Sequence, residues 1–260
     1  MTRSVQCRTF GALSDSRFPI TVLLTATVRP ENTPYVANGA PGNRLAEYRR
    51  ALRNWLNVPV PFPLVLCENS GYDLSAFAAL CEADHRLPRA VTLLSFDDNE
   101  AAHRYGKGHG ELALIKRCLE RERSRGLEGR ILKITGRLWV RNAAALVAAL
   151  AAQTADVACD LQRDLTFADS RVFCATRTFW ERYLLPRREE ADDRQGVYFE
   201  HVLARAVHSA LGDGGKWAPL PLSPWIEGKS ATVGRPYRSN LAKRAAQVFV
   251  SRLKRTVIAR

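Results

Sequence analysis

A chain of 260 residues, 46% apolar and 25% charged, has the material for one large domain with a sizeable core. That composition excludes a disordered chain, a collagen-like repeat and a small disulfide-stapled scaffold. The formal net charge is +13, yet eight basic residues and no acid fall between Arg235 and Arg260, so more than half of the excess belongs to a tail. A nucleic-acid binder would spread its charge over a folded face. No apolar run approaches the ~20 residues that span a bilayer. The longest near the start, residues 20–28, ends at Arg29-Pro30 and reads as a buried strand rather than a signal peptide. The expectation is a cytoplasmic protein. Its six cysteines show no CxxC spacing, and buried reduced thiols are expected.

In chain order, residues 1–17 read as an N-terminal extension and residues 18–28 as a buried strand followed by a Pro-Glu-Asn-Thr-Pro loop. Residues 45–56 have helical spacing, with arginines on the far face. A short apolar run at 63–67 leads into Glu68-Asn69-Ser70-Gly71. A helix is expected at 74–83 and a strand at 91–96, ending in Asp97-Asp98-Asn99. The glycine-studded segment Tyr105-Gly106-Lys107-Gly108-His109-Gly110-Glu111 runs as a loop into a helix at 112–123. Residues 130–135 form a fourth strand, stopped by Gly136. Further helices are expected at 143–152, 178–185 and 195–211, with strands at 157–161 and 170–176. Residues 212–237 are a Gly/Pro-rich connection that closes a domain spanning 18–237.

Strands alternating with helices predict an α/β fold: a mostly parallel central sheet, Rossmann-like, with helices on both faces. Such sheets bind ligands in the crevice at the carboxyl ends of their strands. The loops leaving the strands therefore matter most: Arg29 to Asn32, Glu68 to Gly71, Asp97 to Asn99 and Thr135 to Arg137.

This order of pieces resembles the GT-A class of nucleotide-sugar glycosyltransferases, in particular bacterial transferases that build capsule or lipopolysaccharide chains. The resemblance covers residues 18–211 and is carried by Gly106-Lys107-Gly108-His109-Gly110-Glu111, by Leu132-Lys133-Ile134-Thr135-Gly136-Arg137, and by an acid inside a late helix, Glu200. It implies a GT-A-like fold, a nucleotide-sugar donor, and nucleoside or sugar contacts from Arg29, Glu68, Asn69, Ser70, Asp97 and Asp98. Most enzymes of the class hold a divalent cation on an acidic pair at the end of the fourth strand. Here that stretch carries Lys133 and Arg137 and no acid, so no metal ligands are assigned, and manganese or magnesium is not expected to be required.

Transfer from a nucleotide diphosphate needs cations on the leaving group, which Lys133 and Arg137 suit. Residues i and i+4 of a strand share a face, so both point into one cleft if the strand persists to Arg137; the alternative is two strand-end charges in water. Lys107, Gly108 and His109 precede a helix and form an anion site, or a plain turn and cap. Asp97 and Asp98 contact a ribose or sugar, or simply close an Asx turn. The resemblance makes Glu200 the acceptor's base, with Asp169 in reserve; a surface helix glutamate is the bland alternative.

Residues 238–260 place Leu241, Ala245, Val248, Phe249, Leu253 and Val257 on one helical stripe among Lys243, Arg244, Arg252, Lys254 and Arg255. A basic amphipathic helix of this kind lies on anionic lipid, packs on the domain, or binds nucleic acid. The first is expected. It implies a peripheral enzyme on the inner face of the cytoplasmic membrane, with a glycan or lipid-linked acceptor and no nucleic-acid partner. Two other readings stand beside it: a non-catalytic basic α/β protein binding nucleic acid or membrane, and a nucleotidyltransferase.

Overall fold

The computed structural model describes residues 5–11, 18–30, 40–83, 90–121 and 129–229. The tail with Lys243, Arg244, Phe249, Arg252, Lys254 and Arg255 lies outside the described residues, as does the loop at 31–39. The elements run β1 (Val5–Phe10), β2 (Ile20–Ala26), α1 (Pro41–Leu56), β3 (Leu64–Glu68), α2 (Ser75–Ala83), β4 (Val91–Phe96), α3 (Glu100–Tyr105), α4 (Lys107–Arg121) and β5 (Arg130–Thr135). They continue with β6 (Trp139–Val140), α5 (Ala143–Ala151), β7 (Val157–Ala158), β8 (Leu161–Gln162), β9 (Phe167–Ala168), β10 (Val172–Thr176), α6 (Arg177–Phe179), α7 (Phe199–Gly212), β11 (Trp217–Ala218) and β12 (Ile226–Glu227).

Among the described residues, one sheet of eight strands, in the order β1-β4-β3-β2-β5-β10-β7-β11, forms the middle layer. Its centre, β4-β3-β2-β5, is parallel throughout, while β1 and β10 add on antiparallel. Strands buried on both faces read as unbroken apolar runs, and β2, β3 and β4 are buried at every position. Alternation then divides the core in two. Ile20, Val22, Leu24, Leu132 and Ile134 meet α1, α2 and α5 on one face. Leu23, Val65, Leu94 and Ile131 meet α4, the Trp180–Leu184 turn and α7 on the other. The expected α/β class, a mostly parallel sheet between helical layers, is what is found.

Several boundaries differ from expectation. Val5–Phe10, inside the segment read as an extension, is an edge strand paired with β4 from Val5–Phe96 to Phe10–Val91. The segment 107–111 is the first turn of α4 and not a loop, because Gly106, at φ +106°, ends α3 and restarts the helix at once. The helix expected at 178–185 is broken up: α6 passes into a π-helical turn at Trp180–Leu184 and a 3-10 helix at Leu185–Glu190, where Pro186 cannot donate to a helical ladder. The long late helix begins at Phe199 instead of 195, since Gly196 turns through the left-handed region at φ +76°.

The order β4-β3-β2-β5 means the chain winds outward from β2 to β4, then returns to the other side of β2 to lay down β5. The crevice between β2 and β5 is therefore a topological switch point, where α/β sheets leave a gap at the carboxyl ends of their strands.

Candidate active site

That gap holds a cavity of about 180 Å³. Its floor is the ends of β2 and β5 (Thr25, Ala26, Thr27, Thr135), with Asn69 beyond β3 and Asn99 beyond β4. Lys107, Gly108 and Glu111 come from the start of α4, Phe199 and Glu200 from the start of α7, and Ser170 and Arg171 from the turn before β10. Arg44, Tyr48 and Arg137 complete the wall on the α1 side. Four basic side chains, Arg44, Lys107, Arg137 and Arg171, thus share one crevice with Glu111, Asp193 and Glu200.

Lys133 does not reach this crevice as a leaving-group cation. It sits on the α4/α7 side of β5, fully buried, with its ring neighbour Phe199 5.2 Å from the ammonium. Nζ lies 2.7 Å from Glu111 Oε1 and donates to the Ser170 carbonyl at 2.8 Å and to Thr135 Oγ1 at 3.3 Å. A buried ammonium requires this much compensation. β5 also stops at Thr135: the Leu138 amide bonds back to the Thr135 carbonyl at 2.8 Å, closing a turn that contains Gly136 and Arg137. The two cations therefore do not converge. Arg137 stands at the rim, its Nε donating to the Lys229 carbonyl at 3.0 Å, while Lys133 is a strut beneath the floor.

The strut belongs to a longer chain of contacts. Thr25 donates its hydroxyl to Glu111, Glu111 pairs with Lys133, Lys133 holds the Ser170 carbonyl, and the Ser170 hydroxyl donates to Glu200 Oε1 at 2.8 Å. Five elements of the crevice are fixed to one another, and one oxygen of Glu200 is oriented from below. Glu111 is the counterion that makes a buried Lys133 tolerable.

Other expected site residues lie elsewhere. His109 is buried on the far side of α4, stacked on Tyr105 with Nδ1 3.3 Å from the Ala191 carbonyl; burial lowers its pKa below the ordinary histidine value. It offers nothing to an anion in the crevice. Glu68 is fully buried and spends its carboxylate on the Val28, Ser70 and Tyr72 amides (2.9–3.0 Å) and on the hydroxyls of Ser70 and Ser95. It shapes the strand-end turn and does not line the cavity. Ser70 is held by Glu68 and accepts the Arg29 amide at 3.0 Å, and Arg29 is exposed with its guanidinium over Tyr72. Asp98 pairs with Arg117, and Asp97 is exposed beside Gly71. Of that group Asn69 alone lines the crevice, accepting from Thr27 Oγ1 at 2.7 Å and donating to Asn99 Oδ1 at 3.3 Å. Asp169 clamps Arg171 (Nε to Oδ1, 2.9 Å) and so positions a crevice cation without facing the crevice itself.

Arg44, Arg171, Ser170 and Asp193 line the cavity and were not singled out from sequence. Arg44 had a signal of a kind: it opens a helix at the β2 tip, and its Nε bonds the Thr27 carbonyl at 2.7 Å. At the β5 tip the side chains offered are Lys133, Thr135 and Arg137, which present no carboxylate to a divalent cation. Among the described residues no three His, Cys, Asp or Glu side chains group to hold one. The β5 tip does not fit the metal site that the resemblance would put there.

No family model matches this sequence, and no curated protein matches it. Solved structures similar to the chain include a mannosyltransferase of Pyrobaculum calidifontis in complex with GDP-Man and Mn2+, at 17% identity and a TM-score of 0.49 over 94% of this chain. The chain spans 65% of that protein's length. They also include the inositol-1-phosphate CTP transferase of T. maritima, at 11% identity and a TM-score of 0.44, covering 90% of this chain and 96% of that one. Neither likeness assigns this chain a function.

Arg137 is the rim cation whose loss is simplest to read, because it holds no core contact. If this crevice takes a nucleoside diphosphate, Arg137→Ala is expected to weaken its binding about 10–100-fold, the range set by one hydrogen bond to a charged group. Calorimetric titration of the variant against the parent measures it.

Proposed function

We propose that the protein is a glycosyltransferase that moves a sugar from a nucleotide-diphosphate donor to a surface-glycan or lipid-linked acceptor. The observation that carries this reading is the meeting of Lys107, Arg137 and Arg171 with Glu200 in one crevice at the switch point of the sheet. Cations fixed there neutralise the diphosphate of a departing nucleoside diphosphate without reorganising. Asp169 holds Arg171 through its Nε and Nη2, so the guanidinium is already oriented and loses little freedom if its other edge meets phosphate. Asn69 and Asn99, at the tips of β3 and β4, supply amides for the nucleoside or its ribose.

In the transfer step the acceptor oxygen attacks the anomeric carbon and gives its proton to Glu200. The bond from that carbon to the phosphate oxygen breaks, and the nucleoside diphosphate leaves with the electron pair. Ser170 holds Glu200 Oε1 in place for this. The basic stripe of residues 238–260 supports an acceptor at an anionic membrane surface, and no helix among the described residues is long and apolar enough to cross one.

The test is a thermal-shift screen of UDP, GDP, CMP and dTDP sugars, with and without manganese, followed by a transfer assay with whichever stabilises the protein. The reading predicts stabilisation by one nucleotide class without added metal. Stabilisation by nucleoside triphosphates and sugar phosphates instead, with pyrophosphate released, would make it a nucleotidyltransferase. Binding of oligonucleotides with a steep salt slope and no nucleotide-sugar response would make it the non-catalytic alternative.

A further inference from the structure

The acids that line the crevice are not equally available. Glu111 is spent on Lys133, and Asp193 accepts the Lys107 amide at 3.0 Å and caps the start of α4. Glu200 keeps one oxygen on Ser170 and lines the cavity from the first turn of α7. A donor that fills the crevice leaves an attacking hydroxyl to approach Glu200 from outside it. Whatever carries that hydroxyl then rests on the surface next to Glu200.

That surface is aromatic. Tyr198, two residues before Glu200, is 39% exposed, while Phe199 between them is buried. The Tyr198 ring stacks on His201 at 5.5 Å and 24°, and His201 stands edge-on to Phe167 at 5.2 Å and 88°. The Arg163 guanidinium lies over Phe167 at 4.3 Å. His201 is held in place because its Nδ1 accepts the Tyr198 amide at 3.0 Å. Tyr198 is thus the exposed end of a backed stack of rings.

The backing is held under strain. Arg163, Asp164 and Leu165, at the tip of the β8–β9 hairpin, have φ of +49°, +54° and +66°, and none is glycine. Successive left-handed residues persist only where their surroundings hold them. Here the Thr166 amide and hydroxyl both donate to the Arg163 carbonyl, at 3.0 and 2.7 Å, and His208 Nε2 of α7 donates to the Leu165 carbonyl at 2.9 Å. The hairpin is therefore pinned along α7, and Phe167 stays against His201.

An exposed tyrosine on a rigid base offers a flat apolar face with a hydroxyl at its edge. Its complement is a flat partner with C–H groups on one face and hydroxyls around the rim, which is a pyranose ring. A nucleobase also stacks, but the amides offered to the nucleoside, Asn69 and Asn99, follow β3 and β4, on the opposite side of the β2–β5 gap from β10 and Ser170.

We propose that Tyr198 is the stacking platform for a pyranose ring of the acceptor, so that the acceptor is a saccharide whose reacting hydroxyl is presented to Glu200. The inference rests on the glycosyltransferase reading above and names its acceptor class.

The experiment is saturation-transfer NMR on the full chain with methyl β-D-glucopyranoside, methyl β-D-galactopyranoside and methyl α-D-mannopyranoside, in the parent, Tyr198→Phe and Tyr198→Ala. The backbone amide that holds His201 is present in all three proteins. Calorimetric titration with UDP, GDP, CMP and dTDP reports whether the crevice is intact, and the nucleotide that binds is kept present in the NMR samples. The proposal expects transfer to the ring C–H protons of at least one glycoside in the parent and in Tyr198→Phe. In Tyr198→Ala its affinity should fall about tenfold, the scale of one aromatic stack, with nucleotide affinity unchanged. If a nucleotide binds but no glycoside does, the platform is overturned while the transferase reading stands. The same holds if glycoside binding survives intact in Tyr198→Ala, or falls only together with nucleotide affinity. If the parent binds none of the four nucleotides, the transferase reading fails, and the acceptor assignment fails with it.

Discussion

Glu200→Gln is expected to lower the rate of sugar transfer by about 10²–10⁴-fold, the contribution of a positioned general base, with the Kd for the donor unchanged. The glutamine is isosteric and still accepts the Ser170 hydroxyl through its carbonyl oxygen, so the start of α7 and the contact at 2.8 Å persist. It cannot take a proton. A loss in kcat without a loss in donor affinity would mark an interaction made only as the acceptor proton moves. Retained turnover would remove Glu200 from the mechanism and leave the three crevice cations as a binding site alone. Ser170→Ala should give a smaller loss of the same kind, since it frees the carboxylate without removing it.

The second large effect is on stability. Glu111→Gln is expected to destabilise the fold by about 3–5 kcal/mol, the cost of breaking a buried ion pair from one side. The penalty is large because Lys133 has no exposed surface, whereas the Glu111 side chain is 22% exposed. The converse change, Lys133→Met, leaves a carboxylate that still reaches water and still accepts from Thr25, and it is expected to cost less. Urea unfolding of the two variants gives the ranking. If Lys133→Met proved the more damaging, the lysine would be acting through its contacts to Ser170 and Thr135 and not through its charge.

The same pair shows where a sequence stops being informative. The strand Ile-Leu-Lys-Ile-Thr at 131–135 is plain from its apolar, β-branched run, as are Ile20–Ala26 and Val91–Phe96. But when both faces of a strand are buried, alternation no longer distinguishes water from core, and nothing in the run says that Lys133 points down toward Glu111. The expectation that it shares a cleft with Arg137 needed two more residues of strand. A turn closed by the Leu138 amide on the Thr135 carbonyl ends it instead.

Gly106 to Glu111 failed in a related way. Glycines beside a lysine and a histidine suggest a phosphate loop, and local propensity disfavours a helix there. The segment is helical because a distant carboxylate caps it. Asp193 itself lies in the run Arg-Arg-Glu-Glu-Ala-Asp-Asp-Arg at 187–194, which reads as a solvated surface. Only the packing of that run over α4 turns one of its acids inward. By contrast the end of the sheet that carries the site was legible, because alternating elements imply parallel strands whose carboxyl-end loops gather on one side; which two strands flank the crevice follows only from the observed order β4-β3-β2-β5.

The position of a nucleotide sugar bound in a crystal of the full chain tests the central claim most directly. The account predicts pyrophosphate oxygens within hydrogen-bond reach, ~2.7–3.2 Å, of Arg137 or Arg171, with the anomeric carbon turned toward Glu200. A nucleotide seated away from the tips of β2 and β5, with these guanidiniums untouched, would contradict it.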